Sequence, residues 1–112
     1  MKVAVVGMGN VGCALLHPLA YNRGVDQVLV MSRRKETAMA AVLDVAGAHP
    51  KAATKMAYAP YQKISEADII VVTAGVQMQK GQSAHDVLAP NLEIAESVLS
   101  SGSIKRSAIV IC

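Results

Sequence analysis

The stretch Val3-Ala4-Val5-Val6-Gly7-Met8-Gly9-Asn10-Val11-Gly12 decides how the rest of the chain is read. Four apolar residues, three of them β-branched valines and the fourth alanine, run without alternation into a glycine-rich turn. An uninterrupted apolar run of this kind suits a strand buried on both faces. Gly7, Gly9 and Gly12 stand in the G-x-G-x-x-G spacing. The spacing is weak evidence alone, but here it follows a strand and opens a helix, which is the context it requires. Gly7 permits the tight turn, Gly9 lets backbone approach a pyrophosphate, and Gly12 lets helix and strand pack closely. The turn Gly7, Met8, Gly9, Asn10, Val11 and Gly12 would then hold phosphates at a helix N-terminus, where unpaired N–H groups and the dipole favour negative charge. The bland alternative is a plain strand-to-helix turn.

Working outward, Lys2 to Val6 is a first strand and Val11 to about Asn22 a helix that stops near Gly24. Gln27 to Met31 is a second strand. Lys35 to Ala46 is helical, with Met39, Val42, Leu43 and Ala46 at helical spacing, so this face is expected to pack on a sheet. Gly47 to Pro50 ends it. A weak strand lies near Thr54 to Tyr58 and a strong one at Ile69 to Thr73. A polar loop runs from Gly75 to about Ser83, and a helix from there to about Ser100. Ser107 to Cys112 reads as a buried strand. Pro18 and Pro90 fall inside helices and should kink them, unless Pro90 sits near a helix start. Strands alternating with helices imply an α/β fold with a parallel sheet covered on both faces.

The tip of the second strand sharpens the expectation. Ser32, twenty residues after Gly12, stands where a carboxylate would hold the adenosine ribose of NAD, and Arg33 and Arg34 follow it. A carboxylate would repel a 2′-phosphate. A hydroxyl and two guanidinium forks would bind one. Two cations at a helix start are mildly unfavourable unless an anion compensates them. The expected cofactor is therefore NADP, with NAD as second choice. The alternative is that both arginines are solvated surface charges.

Composition excludes other classes. The 112 residues suit one domain, and 53% hydrophobic content argues against disorder. No apolar run reaches the about 20 residues of a membrane helix, and no signal peptide is apparent. Cys13 and Cys112 form no spacing pattern, which suggests the cytoplasm. A net charge of +3 with no Trp or Phe gives no support to nucleic-acid binding. No Cys/His cluster has metal-ligand spacing, so no metal is expected. No G-K-[ST] follows a glycine-rich loop, which disfavours a nucleotide triphosphatase. Cys13 is read as a small buried side chain. Ser83-Ala84-His85-Asp86 is read as a capping-box-like helix start rather than an acid–base pair. His17 and His49 are read as structural or surface residues.

The segments KVAVVGMGNVG, AVLDVAGAHP, ADIIVVTAG and NLEIAESV, in this order and spacing, resemble the N-terminal, coenzyme-binding part of the lactate/malate dehydrogenase family, with its Rossmann-type sheet. The resemblance implies that residues 1–112 are a dinucleotide-binding domain from the N-terminal part of a longer enzyme. That enzyme would transfer hydride between NAD(P) and a small 2-oxo/2-hydroxy acid. It implies that Thr73, Ala74 and Gly75 end a strand beside the coenzyme. It also places Asn91 near the nicotinamide, and Gly81 and Ser83 in a loop that closes over substrate. Two arginines of the family's loop are matched here by Met78 and Ala84, and neither side chain can bind a carboxylate. Lys80 is a candidate replacement cation. The family's acid–base histidine has no counterpart within the chain, so no catalytic residue is assigned and the chain alone is expected to be inactive. A homo-oligomer is expected, from the edge that an apolar terminal strand would leave unpaired. The rival reading is a non-catalytic dinucleotide-sensing regulatory module.

Overall fold

A computed structural model describes residues Met1–Cys112. Five parallel strands form one sheet: β1 (Lys2–Val6), β2 (Gln27–Met31), β3 (Met56–Tyr58), β4 (Ile69–Val72) and β5 (Ile109–Ile111). The helices are α1 (Asn10–Tyr21), α2 (Lys35–Ala48) and α3 (Leu88–Leu99), with 3-10 segments at Pro50–Lys55 and Tyr61–Glu66. The strand order is β3-β2-β1-β4-β5. The chain thus works outward from β1 in one direction, returns, and works outward in the other. That reversal opens a crevice between the carboxyl ends of β1 and β4, where open α/β sheets bind ligands.

Alternation along β1 divides the core into two layers. Val3 and Val5 face Leu16, Ala20, Ala38, Ala41 and Val45 on α1 and α2. Ala4 and Val6 face the other way, onto Ile64, Ala67, Ile70 and Val98. Val28 and Val30 of β2 join the first layer, and Leu29 and Met31 the second. Every residue of both strands after the first is buried, which is why their sequences carry no polar alternation.

Three expectations need correction. The buried face of α2 is Ala38, Ala41 and Val45, while Met39 and Leu43 are exposed at 46% and 69% and Val42 is only partly buried. Small side chains let the helix lie close to the sheet, so the large apolar residues misplaced the face. The second correction is β5, whose three residues are exposed rather than buried. It is an edge strand whose main neighbour is β4, and no layer covers it. Third, α3 begins at Leu88, not near Ser83. Pro90 clashes with the carbonyl four residues back if helix extends that far, so it belongs in the first turn. As expected, Pro18 lies inside α1, and Ala14, whose carbonyl loses its partner there, is exposed to water. No helix is long and apolar enough to cross a membrane.

Candidate dinucleotide site

The crevice begins at Gly7, where φ is +98°, a conformation that favours glycine. A Cβ here would also lie 2.5 Å from the Ala74 nitrogen. The turn is tied to its neighbours on both sides. Gly7 N–H donates to the Met31 carbonyl at 2.9 Å, and Thr73 N–H to the Val6 carbonyl at 2.8 Å. The Thr73 hydroxyl lies 2.8 Å from the Gly7 carbonyl and 3.0 Å from that of Val6. A Cβ on Gly12 would stand 1.8 Å from the Gly7 carbonyl oxygen, so only glycine lets α1 dock this closely. Gly9 differs. Nothing lies within 4 Å of its would-be Cβ, so the missing side chain keeps open space rather than a packing contact.

That open space belongs to a cleft of about 450 Å³. It is lined by Gly7, Met8 and Gly9 from the turn, Ser32, Arg33, Arg34 and Thr37 from the end of β2 onward, and Thr73, Ala74, Gly75 and Val76 after β4. Tyr61 and Ile94 complete the wall. No Asp or Glu lines it. Neither α1, capped at Gly9, nor α2, capped at Arg34, has a side-chain cap at its N-terminus. The first-turn amides of both helices therefore lack a side-chain partner, as an anion site at a helix start requires. The charge of Lys35 is directed elsewhere, 5.5 Å over the ring of Tyr58. Burial pushes the Tyr61 phenol above its ordinary value, and the Arg33 charge works in the opposite direction.

Most of the residues expected at the site meet there, but not all. Asn10 and Val11 lie instead along the outer side of α1, in a shallow surface with Ala14 and Pro18. Gly12 acts through packing. Asn91 does not line the cleft; its Oδ1 accepts the Val76 N–H at 2.6 Å and so pins the start of the loop to α3. Met78, Lys80 and Ala84 are exposed and outside the cleft. The loop they occupy holds itself with local bonds: Gln79 N–H to the Gln82 side chain at 2.9 Å, and Ser83 N–H to Asp86 Oδ2 at 2.7 Å. The second of these is the reach-back half of a capping box, but it closes a turn rather than starting a helix. Cys13 is partly buried, with its Sγ 3.4 Å from the Met8 carbonyl. Sequence reasoning missed Thr37, Tyr61, Val76 and Ile94. Ile94 alone left a signal, as an apolar residue inside the segment NLEIAESV.

An open parallel sheet with a glycine turn and uncapped helix starts at its switch point defines a dinucleotide-binding α/β domain. Comparison with known proteins narrows this. The profile of the lactate/malate dehydrogenase NAD binding domain matches residues 1–111, and the chain belongs to that family. Malate dehydrogenase of Xanthobacter autotrophicus is 34% identical over 99% of this chain, and L-lactate dehydrogenase of Thermoanaerobacterium saccharolyticum is 31% identical over 88%. The crystal structure of malate dehydrogenase from Plasmodium falciparum superposes over 100% of the chain with a TM-score of 0.81 at 26% identity. It is covered to 37% of its own length. The chain spans about a third of the length of the curated relatives it matches.

Proposed function

We propose that residues 1–112 form the coenzyme-binding domain of an NADP(H)-dependent oxidoreductase that acts on a small 2-oxo/2-hydroxy acid, with NAD as the weaker coenzyme. One observation carries the coenzyme choice: Ser32, Arg33 and Arg34 share a cleft wall that holds no carboxylate. A 2′-phosphate would meet a hydroxyl donor and two guanidinium groups there, and charge-assisted bonds of this kind contribute about 1.5–3 kcal/mol each. Met8, Gly9 and the first-turn amides of α1 would hold the pyrophosphate, in the space beside Gly9. Tyr61, Val76 and Ile94 offer apolar surface for a planar base. The coenzyme supplies hydride chemistry, and the domain's part is to bind and orient it.

The family membership and the names of the relatives support the 2-hydroxy acid reading. Met78 and Ala84 point to a substrate other than malate or lactate, because neither can pair with a carboxylate or polarise a carbonyl. Lys80 is the one cation in the polar loop and the candidate to do so. The test is steady-state turnover of the full-length protein with NADPH and a panel of 2-oxo acids. Turnover with an acid bearing an apolar side chain, reduced by Lys80→Ala, is the expected result. Strong activity on oxaloacetate, unaffected by Lys80→Ala, would contradict the assignment of the loop.

A further inference from the structure

A second cavity, of about 780 Å³, lies at the other end of the sheet from the glycine turn. It is bounded by the end of α1, the residues that precede β2, and the junction between α2 and the 3-10 segment after it. Its volume falls in the range of small-molecule sites, about 300–1,000 Å³. Ala20, Val25 and Ala52 give it a buried apolar floor.

The charges on its wall are unequal in how they are used. Asp26 is the only carboxylate there, and it is bonded to the Met1 ammonium, which holds its pKa down. Lys55 Nζ donates to the carbonyls of Asn22 at 2.8 Å and Ala20 at 3.3 Å, so it covers the carbonyl end of α1. Arg23 and Lys51 take part in none of the chain's ion pairs. Two unpaired cations therefore flank an apolar floor whose one anion is already neutralised.

A chain of hydrogen bonds reaches the same wall. His17 Nδ1 lies 3.0 Å from His49 Nε2, and His49 Nδ1 lies 2.5 Å from the Tyr21 hydroxyl. One assignment of the protons runs outward: His17 Nδ1–H donates to His49 Nε2, and His49 Nδ1–H donates to the Tyr21 oxygen. Tyr21 O–H is then left free to donate into the cavity. An anion at the end of such a chain would select that direction, since each bond polarises the next.

We propose that this cavity binds a phosphate monoester carried on a compact apolar group, with Arg23 and Lys51 pairing its charge and the Tyr21 hydroxyl as a further donor. A phosphate monoester is favoured over a carboxylate because it carries about two negative charges near neutral pH, matching two cations. The test is a titration of the protein with phenyl phosphate, followed by amide NMR in the presence of saturating NADPH, which occupies the other phosphate-binding region. Shifts at Val25, Ala48 and Ala52 are expected. Arg23→Gln with Lys51→Gln should weaken them at least about tenfold, and Tyr21→Phe about three- to tenfold. All three side chains are exposed, so the variants should melt as the parent does. Shifts that survive Arg23→Gln with Lys51→Gln, or no shifts at these residues up to about ten millimolar probe, would overturn the proposal.

Discussion

The glycine turn and the loop that follows Gly75 both start on the wall of the same cleft, yet they are determined in different ways. The turn is fixed by the sheet. Gly7 is bonded to β2, Thr73 reaches back to the turn, and Gly12 has no room for a methyl group. From Val76 to Asp86 every residue is exposed, and the bonds that shape the segment are mostly its own. Its one anchor among these side-chain bonds is Asn91 on the Val76 N–H. A region held by the core can tolerate few changes, whereas a region held by local turns can change its chemistry without cost to the fold. A chain can therefore keep its glycine turn while the residues of this loop, Met78 and Ala84 among them, vary.

The sharpest way to break the comparison is to place a methyl group at a glycine in each region. Gly12→Ala should destabilise the fold by about 3 kcal/mol or more, because the new atom overlaps the Gly7 carbonyl and the helix must move. Gly81→Ala meets no neighbour and strains only its own backbone, at φ +90°, so a loss of about 1 kcal/mol is expected. Chemical denaturation of the two variants measures the difference. Equal losses would mean that the turn is not the more constrained region.

Gly9→Val separates stability from binding inside the turn itself. The backbone of Gly9 lies in the extended region and its Cβ position is open. Stability should change by less than about 0.5 kcal/mol, as at an ordinary surface site. Coenzyme affinity should fall at least about tenfold, or about 1.4 kcal/mol, because the side chain would occupy the space proposed for the pyrophosphate. Calorimetric titration alongside thermal melting checks both halves. Unchanged affinity would move the pyrophosphate elsewhere.

A smaller effect is expected at the amino end of the sheet. Asp68 accepts the Lys2 N–H at 2.8 Å and the Lys105 ammonium at 3.0 Å, and these two bonds hold its pKa below the usual value. A carboxylate depressed on folding contributes stability that is present above its unfolded pKa, about 3.9, and is lost as pH falls through the lower folded value. Asp68→Asn should flatten the decline in melting temperature below about pH 4. Parallel acid curves for the two proteins would contradict this. The group is exposed, so the contribution is screened.

The same contrast explains what could be read from the sequence. β1 and β2 were legible because both faces are buried, and β4 because one face is buried and the other half-buried, so each strand is an unbroken apolar run bounded by polar residues or glycine. The glycine turn was legible because Gly7 and Gly12 answer to backbone sterics. The face of α2 was misplaced because Ala38 and Ala41 pack by being small, which periodicity of large residues does not register. β5 has the composition of a core strand, yet its exposure depends on what covers an edge, a property of the assembly rather than of the segment. Tyr61 reaches the cleft from an element that carries no motif, and only the tertiary fold brings it to Arg33.

The central claim is that the tip of β2 selects a 2′-phosphate. Isothermal calorimetry with NADPH and NADH at moderate salt measures it directly, on the parent and on Ser32→Asp with Arg33→Ala. The account predicts NADPH binding at least about tenfold tighter than NADH, about 1.4 kcal/mol, and a reversed preference in the double variant. Equal affinities for the two coenzymes in the parent, or tighter binding of NADH, would contradict it.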